Sequence, residues 1–352
     1  MYSKKSIWKK LVLVFAILVI LIILLCSLGD IKAIWNVLST QTNYLYIGIC
    51  AILAIIYCLF FQASLTVIIK KKYSDIKIKD SMFIAGSEFF FNGITPFSSG
   101  GQPFQAYGLK QKNMKLSDST SALLLNFLIY QIVMNLFSVV CMVMYFTRLK
   151  EQVDNFIWLL VVGFSINLFI MLFLIGIGTL KWVGNLFVKL LILFSKIKFL
   201  NKFLSSKIEP FKTYISETQE AFKEMYRYKG TVIISFVLKL IGLIVYYSIP
   251  FFIFWAIGVK INVENLFYVI AMTSFALTIS IWVPTPGASG GAELAFTTLF
   301  VGLLVGYSDI NNLTMSGMLL WRMITYYFIM VYGFIMYILF ERGNKNEDRV
   351  IY

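Results

Sequence analysis

Long, uninterrupted apolar runs are the feature that most constrains how this chain can fold. Six of them occur, near 11–28, 44–69, 119–146, 156–180, 230–257 and 313–340. A helix needs about 20 apolar residues to cross a bilayer, and in lipid only helices and closed barrels satisfy every backbone polar group. Runs of this length exceed a barrel strand. They therefore predict an all-α polytopic membrane protein, with 1–352 as a single membrane domain.

The composition agrees with this class and removes several others. Hydrophobic residues make up 59% of the chain and charged residues 14%, which excludes a disordered chain. The chain has no histidine, so it lacks the commonest general base and the commonest zinc ligand. We predict no catalytic residue, no metal site and no cofactor.

The basic residues predict the orientation of the chain in the membrane. In a soluble protein a net charge of +14 would suggest nucleic acid, but here we expect no such partner. With the N-terminus placed in the cytoplasm, 25 of the 31 Lys and Arg residues fall in cytoplasmic segments and 4 in external loops. This bias predicts a multi-pass cell-membrane protein with both termini cytoplasmic.

Two further apolar stretches, 81–97 and 265–306, are interrupted by Pro and Gly. The charge bias holds only if each stretch returns to the side from which it came. We therefore expect each to be a re-entrant hairpin or a pair of closely spaced helices.

A repeated motif lies inside these two stretches. The first copy reads Thr95-Pro96-Phe97-Ser98-Ser99-Gly100-Gly101, and the second reads Thr285-Pro286-Gly287-Ala288-Ser289-Gly290-Gly291. The offset is 190 residues at every matched position. Thr-Pro stops a helix, and Gly-Gly permits close backbone approach.

The predicted topology brings the two copies in from opposite sides of the membrane, as in inverted-topology repeats. We expect repeat 1 at 44–180 with its re-entrant part at 81–103, and repeat 2 at 230–340 with its re-entrant part at 265–306. The two loops should meet near the middle of the membrane. Structural kinks that serve only helix packing are the alternative.

The segment 181–229 should be a cytoplasmic amphipathic linker between the repeats. Its first part mixes Lys with Leu and Phe, as a surface-lying helix does, and a seventh span is the alternative there. In its second part, Glu217, Glu220 and Glu224 lie at helical spacing from basic residues, which predicts a solvated face. The segment is too short for an enzymatic domain.

Charged residues at membrane depth are costly unless they are paired or hydrated. Glu88, Glu293 and Arg322 should therefore face the protein interior. Glu293 and Arg322 are expected within pairing distance and facing a cavity, either as a structural ion pair or in contact with a charged head group. Lys239, near the start of its span, is interpreted as a snorkelling side chain.

Amides and hydroxyls extend from the first hairpin into the following span: Asn92, Ser98, Gln102, Gln105, Asn126, Gln131 and Asn135. A hydrated groove would explain them, and ordinary interhelical hydrogen bonding is the alternative for the last three. The abundant Phe and Tyr residues are typical of lipid-facing surfaces, so no site is assigned to them.

Three motifs carry a resemblance to a known family. They are Phe91-Asn92-Gly93-Ile94-Thr95-Pro96-Phe97-Ser98-Ser99-Gly100-Gly101-Gln102-Pro103, then Pro284-Thr285-Pro286-Gly287-Ala288-Ser289-Gly290-Gly291-Ala292-Glu293, then Trp321-Arg322. Over roughly residues 8 to 340 the sequence resembles the transmembrane, flippase-like region of the lysylphosphatidylglycerol synthase/flippase family.

The resemblance implies a lipid translocator. Family members that make aminoacylated phosphatidylglycerol carry a soluble transferase domain after the membrane part, and we expect that domain to be absent here. The resemblance and the repeat together predict cavity-lining or substrate-binding roles for Glu88, Asn92, Thr95, Pro96, Ser99, Gly100, Gly101, Gln102, Pro103, Gln131, Thr285, Pro286, Gly287, Ser289, Gly290, Gly291, Glu293 and Arg322.

Three functions remain open at this point. The first is translocation of an anionic, zwitterionic or aminoacylated phospholipid or a polyprenyl-linked lipid; with no ATP-binding motif, it would be downhill or ion-coupled. The second is a phosphatidylglycerol lysyltransferase-type enzyme. The third is a non-transporting subunit that binds a partner enzyme through 181–229. A homodimer is also open.

Overall fold

The computed structural model describes residues 35–153, 157–196, 198–280, 283–307 and 309–350. The first predicted run, 11–28, lies outside the described residues. The described chain is built from helices, which agrees with the predicted fold class.

The first half of the described chain contains a π-helical turn, Val37–Gln41, and seven α-helices. These helices are α1 (Tyr44–Lys72), α2 (Ile78–Gly93), α3 (Gly101–Gln111), α4 (Leu116–Val153), α5 (Ile157–Thr179), α6 (Lys181–Ser195) and α7 (Lys198–Arg227). A 3₁₀ turn, Pro96–Ser98, separates α2 from α3, so these two helices form the first hairpin.

The second half contains α8 (Lys229–Ala256), α9 (Leu266–Ser280), α10 (Gly291–Phe300), α11 (Ile310–Arg322) and α12 (Ile329–Val350). The 3₁₀ turn Pro286–Ala288 separates α9 from α10, which form the second hairpin. Further 3₁₀ turns, Val263–Asn265 and Val301–Leu304, flank this hairpin. A π-helix, Met323–Phe328, joins α11 to α12.

Seven helical segments in the described ranges are long and apolar enough to cross a membrane. They are Tyr44–Lys72, Leu116–Glu151, Val161–Thr179, Lys229–Ala256, Val263–Ser280, Pro286–Leu304 and Ile310–Asn344. Five of them coincide with predicted runs, and the other two are the arms of the second hairpin. The chain is therefore an all-α, multi-pass membrane protein.

The two halves pack against each other through matching helices. Helix α1 lies along α8, α2 lies along α12, and the loops of the two hairpins contact one another directly. Each half runs in the order long helix, hairpin, long helix, with α5–α7 between them. The predicted repeat 1, 44–180, also includes α5, and the repeat boundaries remain a prediction.

Two hydrophobic cores stabilise this arrangement. One core is built around α8–α11, and in it the rings of Phe296 and Phe300 stack at 4.2 Å and those of Phe296 and Trp321 at 4.8 Å. The other core is built around α1, α2 and α4.

Helices α6 and α7 form the segment between the predicted repeats. With 15 residues, α6 is about 22 Å long, which is short of the roughly 30 Å hydrocarbon core. It is not among the segments that are long enough to cross a membrane. The structure therefore does not support the alternative of a further span in the first part of 181–229. Helix α7 packs on α4, α5 and α6.

One prediction about α7 is wrong. Glu224 was expected on a solvated face with Glu220, but it is buried and forms an ion pair with Lys72 at the end of α1. Glu220 does lie in solvent, where it pairs with Lys223. Helical spacing placed both glutamates near basic residues of α7, but it could not show that another helix covers Glu224.

Candidate functional site

The two copies of the repeated motif share one backbone path at their centres. Phe97 and Gly287 have φ values of 54° and 61°. Ser98 and Ala288, the next residues in each copy, have φ values of 50° and 54°. Three of these four left-handed residues carry a side chain, which costs about 1–2 kcal/mol each, so the surrounding contacts must impose this path. The sequence repeat is therefore also a structural repeat.

Side chains of the first loop satisfy the free N–H groups at the start of α3. Thr95 Oγ1 donates to Phe91 O at 2.7 Å and accepts from Gly100 N–H at 2.9 Å. Asn92 Oδ1 accepts from Gly101 N–H at 2.8 Å. A Cβ on Gly101 would lie 2.6 Å from Glu88 Cγ, so glycine allows α3 to approach Glu88 this closely.

The second loop uses different residues for the same purpose. Glu293 Oε2 accepts from Gly290 N–H at 2.6 Å, which caps the start of α10. Thr285 Oγ1 donates to Ser289 O at 2.7 Å, and Ser289 Oγ donates to Pro286 O at 3.0 Å. The two copies differ here because the backbone diverges at the fifth position, where ψ is −8° for Ser99 and 139° for Ser289.

Arg322 connects the second loop to α11. Its Nη2 donates to Gly287 O at 3.0 Å and to Ser289 Oγ at 3.1 Å. Its Nε lies 2.9 Å from Glu293 Oε1. The Nε–H is not aimed at that oxygen, so the contact is an ion pair rather than a hydrogen bond. The predicted pairing of Glu293 with Arg322 is confirmed, and both side chains are buried.

Tyr326, in the π-helix, links the second loop to the first hairpin. Its ring lies 4.4 Å from the Arg322 guanidinium, and its hydroxyl donates to Gly93 O at 2.8 Å. A Cβ on Gly287 would lie 2.1 Å from this ring. Glycine at position 287 therefore allows both the positive φ and the close approach of the loop to Tyr326.

A cavity of about 350 Å³, lined by polar and aromatic side chains, lies between the two loops and the helices α1, α4 and α8. The predicted site residues that line it are Glu88, Asn92, Gln102, Thr285, Gly287 and Arg322. Three further polar residues from the predicted groove, Ser98, Gln105 and Asn126, also line it. The exposed side chains of Phe97 and Gln102 mark its mouth.

The remaining predicted site residues lie outside the cavity wall. Most of them build the two loops: Thr95, Pro96, Ser99, Gly100, Gly101, Pro286, Ser289, Gly290 and Gly291. Pro103 follows in α3 and Glu293 lies in α10, behind Arg322. Gln131 is buried in α4, where its backbone carbonyl accepts from Asn135.

Glu88 is the acidic residue of the cavity wall. Its Oε1 accepts from Asn92 Nδ2 at 3.2 Å, and its Oε2 accepts from Gln105 Nε2 at 2.9 Å. The same Asn92 also caps α3 through its carbonyl oxygen. The two amides therefore hold the carboxylate in a defined orientation and connect it to the first loop.

The snorkelling prediction for Lys239 is wrong. The side chain is only 1% exposed and lines the cavity. Its Nζ lies 4.5 Å from the Phe61 ring centroid and 5.7 Å from that of Tyr130. Cation–π contacts contribute about 0.5–2 kcal/mol each, against at least about 2.5–3.5 kcal/mol for a charge at the bilayer centre. The charge of Glu88 nearby supplies further stabilisation.

Aromatic side chains form much of the cavity wall, and the sequence did not identify them. Tyr57 lies 4.5 Å from Phe61 and 4.4 Å from Tyr246, measured between ring centroids. Tyr130, Tyr247 and Tyr326 also belong to this wall. With 33 Phe and 20 Tyr in the chain, no pattern separates these residues from lipid-facing ones. A polar residue one helical turn away from an aromatic residue, as Asn126 is from Tyr130, is only a weak indication that the aromatic residue faces a cavity.

The fold and the site define a polytopic helical membrane protein with a cavity, lined by polar and aromatic side chains, where two broken-helix hairpins meet. The sequence model of the lysylphosphatidylglycerol synthase TM region matches residues 11–333. The chain belongs to this family. No curated protein and no solved structure matches the chain.

Proposed function

We propose that this protein moves lipid between the leaflets of the bacterial cytoplasmic membrane, with the head group passing through the cavity between the hairpins. The observation that carries the proposal is a cavity of about 350 Å³ at the two contacting loops, with charged and amide side chains in its wall. Backbone that leaves a helix at membrane depth is stable only where protein or water satisfies its polar groups. In transporters such loops form the substrate site.

The size of the cavity favours a head group over a whole lipid. Ligand pockets have volumes of about 300–1,000 Å³, so this cavity is at the small end of that range. Two acyl chains would not fit beside a head group in this space. We expect the chains to remain in the bilayer while the head group enters past Phe97, Ser98 and Gln102, which are exposed and line the cavity.

The test is lipid movement by the purified full chain in liposomes. A head-group-labelled phospholipid is placed in both leaflets, and a membrane-impermeant reductant quenches whatever label reaches the outer leaflet. Liposomes without protein should retain the inner-leaflet signal, whereas those with protein should lose it. Because the transport would be downhill or ion-coupled, the assay is run with and without H⁺ and Na⁺ gradients.

A matched pair of tryptophan variants on α3 makes the test specific to the cavity. Gln102→Trp fills the mouth and should slow movement at least about tenfold, which is ~1.4 kcal/mol in the barrier. Tyr107→Trp changes an exposed residue of the same helix that does not line the cavity, and it should leave the rate unchanged. No movement under any gradient, or equal rates for both variants, would overturn the proposal.

A further inference from the structure

We infer that the cavity selects a zwitterionic head group, with Lys239 binding the phosphate and Glu88 binding the ammonium group. The inference rests on the proposed function in that the ligand is a membrane lipid. The argument uses the burial of Lys239, the orientation of Glu88 and the balance of charges around the cavity.

Lys239 is a buried cation that no described carboxylate pairs with directly. Among the described residues it makes no ion pair or hydrogen bond, and its ammonium group faces the rings of Phe61 and Tyr130. It lines the cavity although its side chain is almost entirely enclosed. An ammonium group in this position has donors available for an anion inside the cavity, and a phosphate is the anion common to membrane lipids.

Glu88 provides the opposite charge on the same cavity. Two amides, from Asn92 and Gln105, hold its carboxylate in place. Each carboxylate oxygen has two acceptor sites, so each retains one after accepting from its amide. Glu88 and Lys239 interact electrostatically but do not form a direct ion pair. A ligand that carries both signs can therefore bind each residue without separating a closed pair.

The charge balance decides which head groups fit. Arg322 also lines the cavity, but Glu293 neutralises it at 2.9 Å. Glu88 and Lys239 then leave the cavity with no net charge. A zwitterionic head group keeps this balance, whereas a net anionic one adds an unpaired negative charge near Glu88 and a net cationic one adds an unpaired positive charge near Lys239. Unpaired charges are strongly disfavoured in an enclosed site.

The test measures binding to the purified full chain in a neutral detergent by calorimetry. The probes are short-chain phosphatidylethanolamine, which is zwitterionic, and short-chain phosphatidylglycerol, which is anionic. Phosphoethanolamine and inorganic phosphate distinguish a lipid head group from a free phosphate. We expect the wild-type protein to bind phosphatidylethanolamine at least about tenfold more tightly than phosphatidylglycerol. Both water-soluble probes should bind more weakly than the lipid.

Variants at the two residues should have different effects on binding. Glu88→Gln leaves a net positive cavity, so the preference for phosphatidylethanolamine over phosphatidylglycerol should fall at least about tenfold. Lys239→Met should weaken binding of both lipids, and Lys239→Arg should largely restore it. The double variant Glu88→Gln/Lys239→Met removes both charges together, so it should fold and bind neither lipid selectively. Lys223→Gln, which changes an exposed side chain of α7 outside the cavity wall, is the control and should bind as the wild type does.

The outcomes separate this inference from the proposed function. A wild-type preference for phosphatidylglycerol, an unchanged preference in Glu88→Gln, or phosphate binding as tight as lipid binding would overturn the inference. Lipid movement in liposomes without any head-group preference would overturn the inference and leave the proposed function intact. Selective binding that depends on Lys239 and Glu88, without any lipid movement, would support the inference as a binding site and overturn the proposed function.

Discussion

At the residue scale, Arg322 holds the second loop in place. Its guanidinium bonds Gly287 and Ser289, pairs with Glu293, and lies against Tyr326, whose hydroxyl bonds the first hairpin. Glu293 lies behind Arg322 rather than on the cavity wall, and it also caps α10. These contacts favour a structural role for the pair over contact with a head group.

The first prediction concerns this pair. Arg322→Met leaves Glu293 buried without its partner and should cost about 3–5 kcal/mol of stability, whereas Glu293→Gln/Arg322→Met should recover much of that loss. Recovery should be incomplete because Met cannot bond Gly287 and Ser289. The free energy of unfolding in detergent and lipid movement in liposomes are measured for both variants.

If the pair is structural, the double variant moves lipid at nearly the wild-type rate. A double variant that folds as well as predicted yet fails to move lipid would contradict this assignment. Arg322 and Glu293 would then act on the head group itself, and the charge balance of the cavity would need to include them.

At the element scale, a buried ion pair connects α7 to α1, in addition to the packing of α7 on α4, α5 and α6. Lys72 ends α1, and its ammonium group pairs with Glu224 near the end of α7. Both side chains are largely enclosed, at 9% and 10% exposure. Lys72 Nζ also donates to Asp118 O at 3.4 Å, so the same residue reaches the start of α4. The pair thus joins three helices at one end of the molecule.

The second prediction tests this attachment with the same chemical change at two positions of α7. Glu224→Gln leaves Lys72 buried without a countercharge and should destabilise the docking of α7 by about 3–5 kcal/mol. Glu220→Gln breaks an exposed pair with Lys223 and should cost about 0–1 kcal/mol. Amide hydrogen exchange along α7, followed by mass spectrometry, measures both effects. Equal protection of α7 in the two variants would show that the buried pair does not hold the helix.

At the scale of the whole molecule, the hairpins and the charge distribution together define the expected topology. The loops contact each other although they lie 190 residues apart. For the first hairpin to enter from the cytoplasm and the second from outside, the long helices between them must cross the membrane in the predicted order. The depth of the loops and the orientation of the chain remain predictions.

The third prediction tests the orientation of the chain in the membrane. Single cysteines replace Lys202 and Asp309 in a variant whose four native cysteines are changed to serine. Because 25 of the 31 basic residues fall on one side in the predicted topology, position 202 should be cytoplasmic and position 309 external. Labelling of intact cells with a membrane-impermeant maleimide should modify only position 309. External labelling of position 202 would contradict the inverted repeat.

The sequence by itself determined the helical class, most of the spans, the two broken hairpins and the pairing of Glu293 with Arg322. These features depend on local signals. Apolar length decides whether a segment can cross a bilayer, and Thr-Pro and Gly-Gly decide where a helix stops. A charge within an apolar run needs a partner nearby. The two copies of the repeated motif also share a backbone path at their centres, with positive φ at Phe97 and Gly287.

Only the tertiary structure decided which side chains face the cavity. Lys239, Tyr57 and Tyr130 come from three different helices, and the packing of α1, α4 and α8 turns them toward Glu88. The same packing buries Glu224 beside Lys72. A helix that is apolar on all sides has no preferred direction in lipid, because its hydrophobic pattern is the same toward lipid and toward protein. Its rotation is set by contacts with other helices, which the local sequence does not contain.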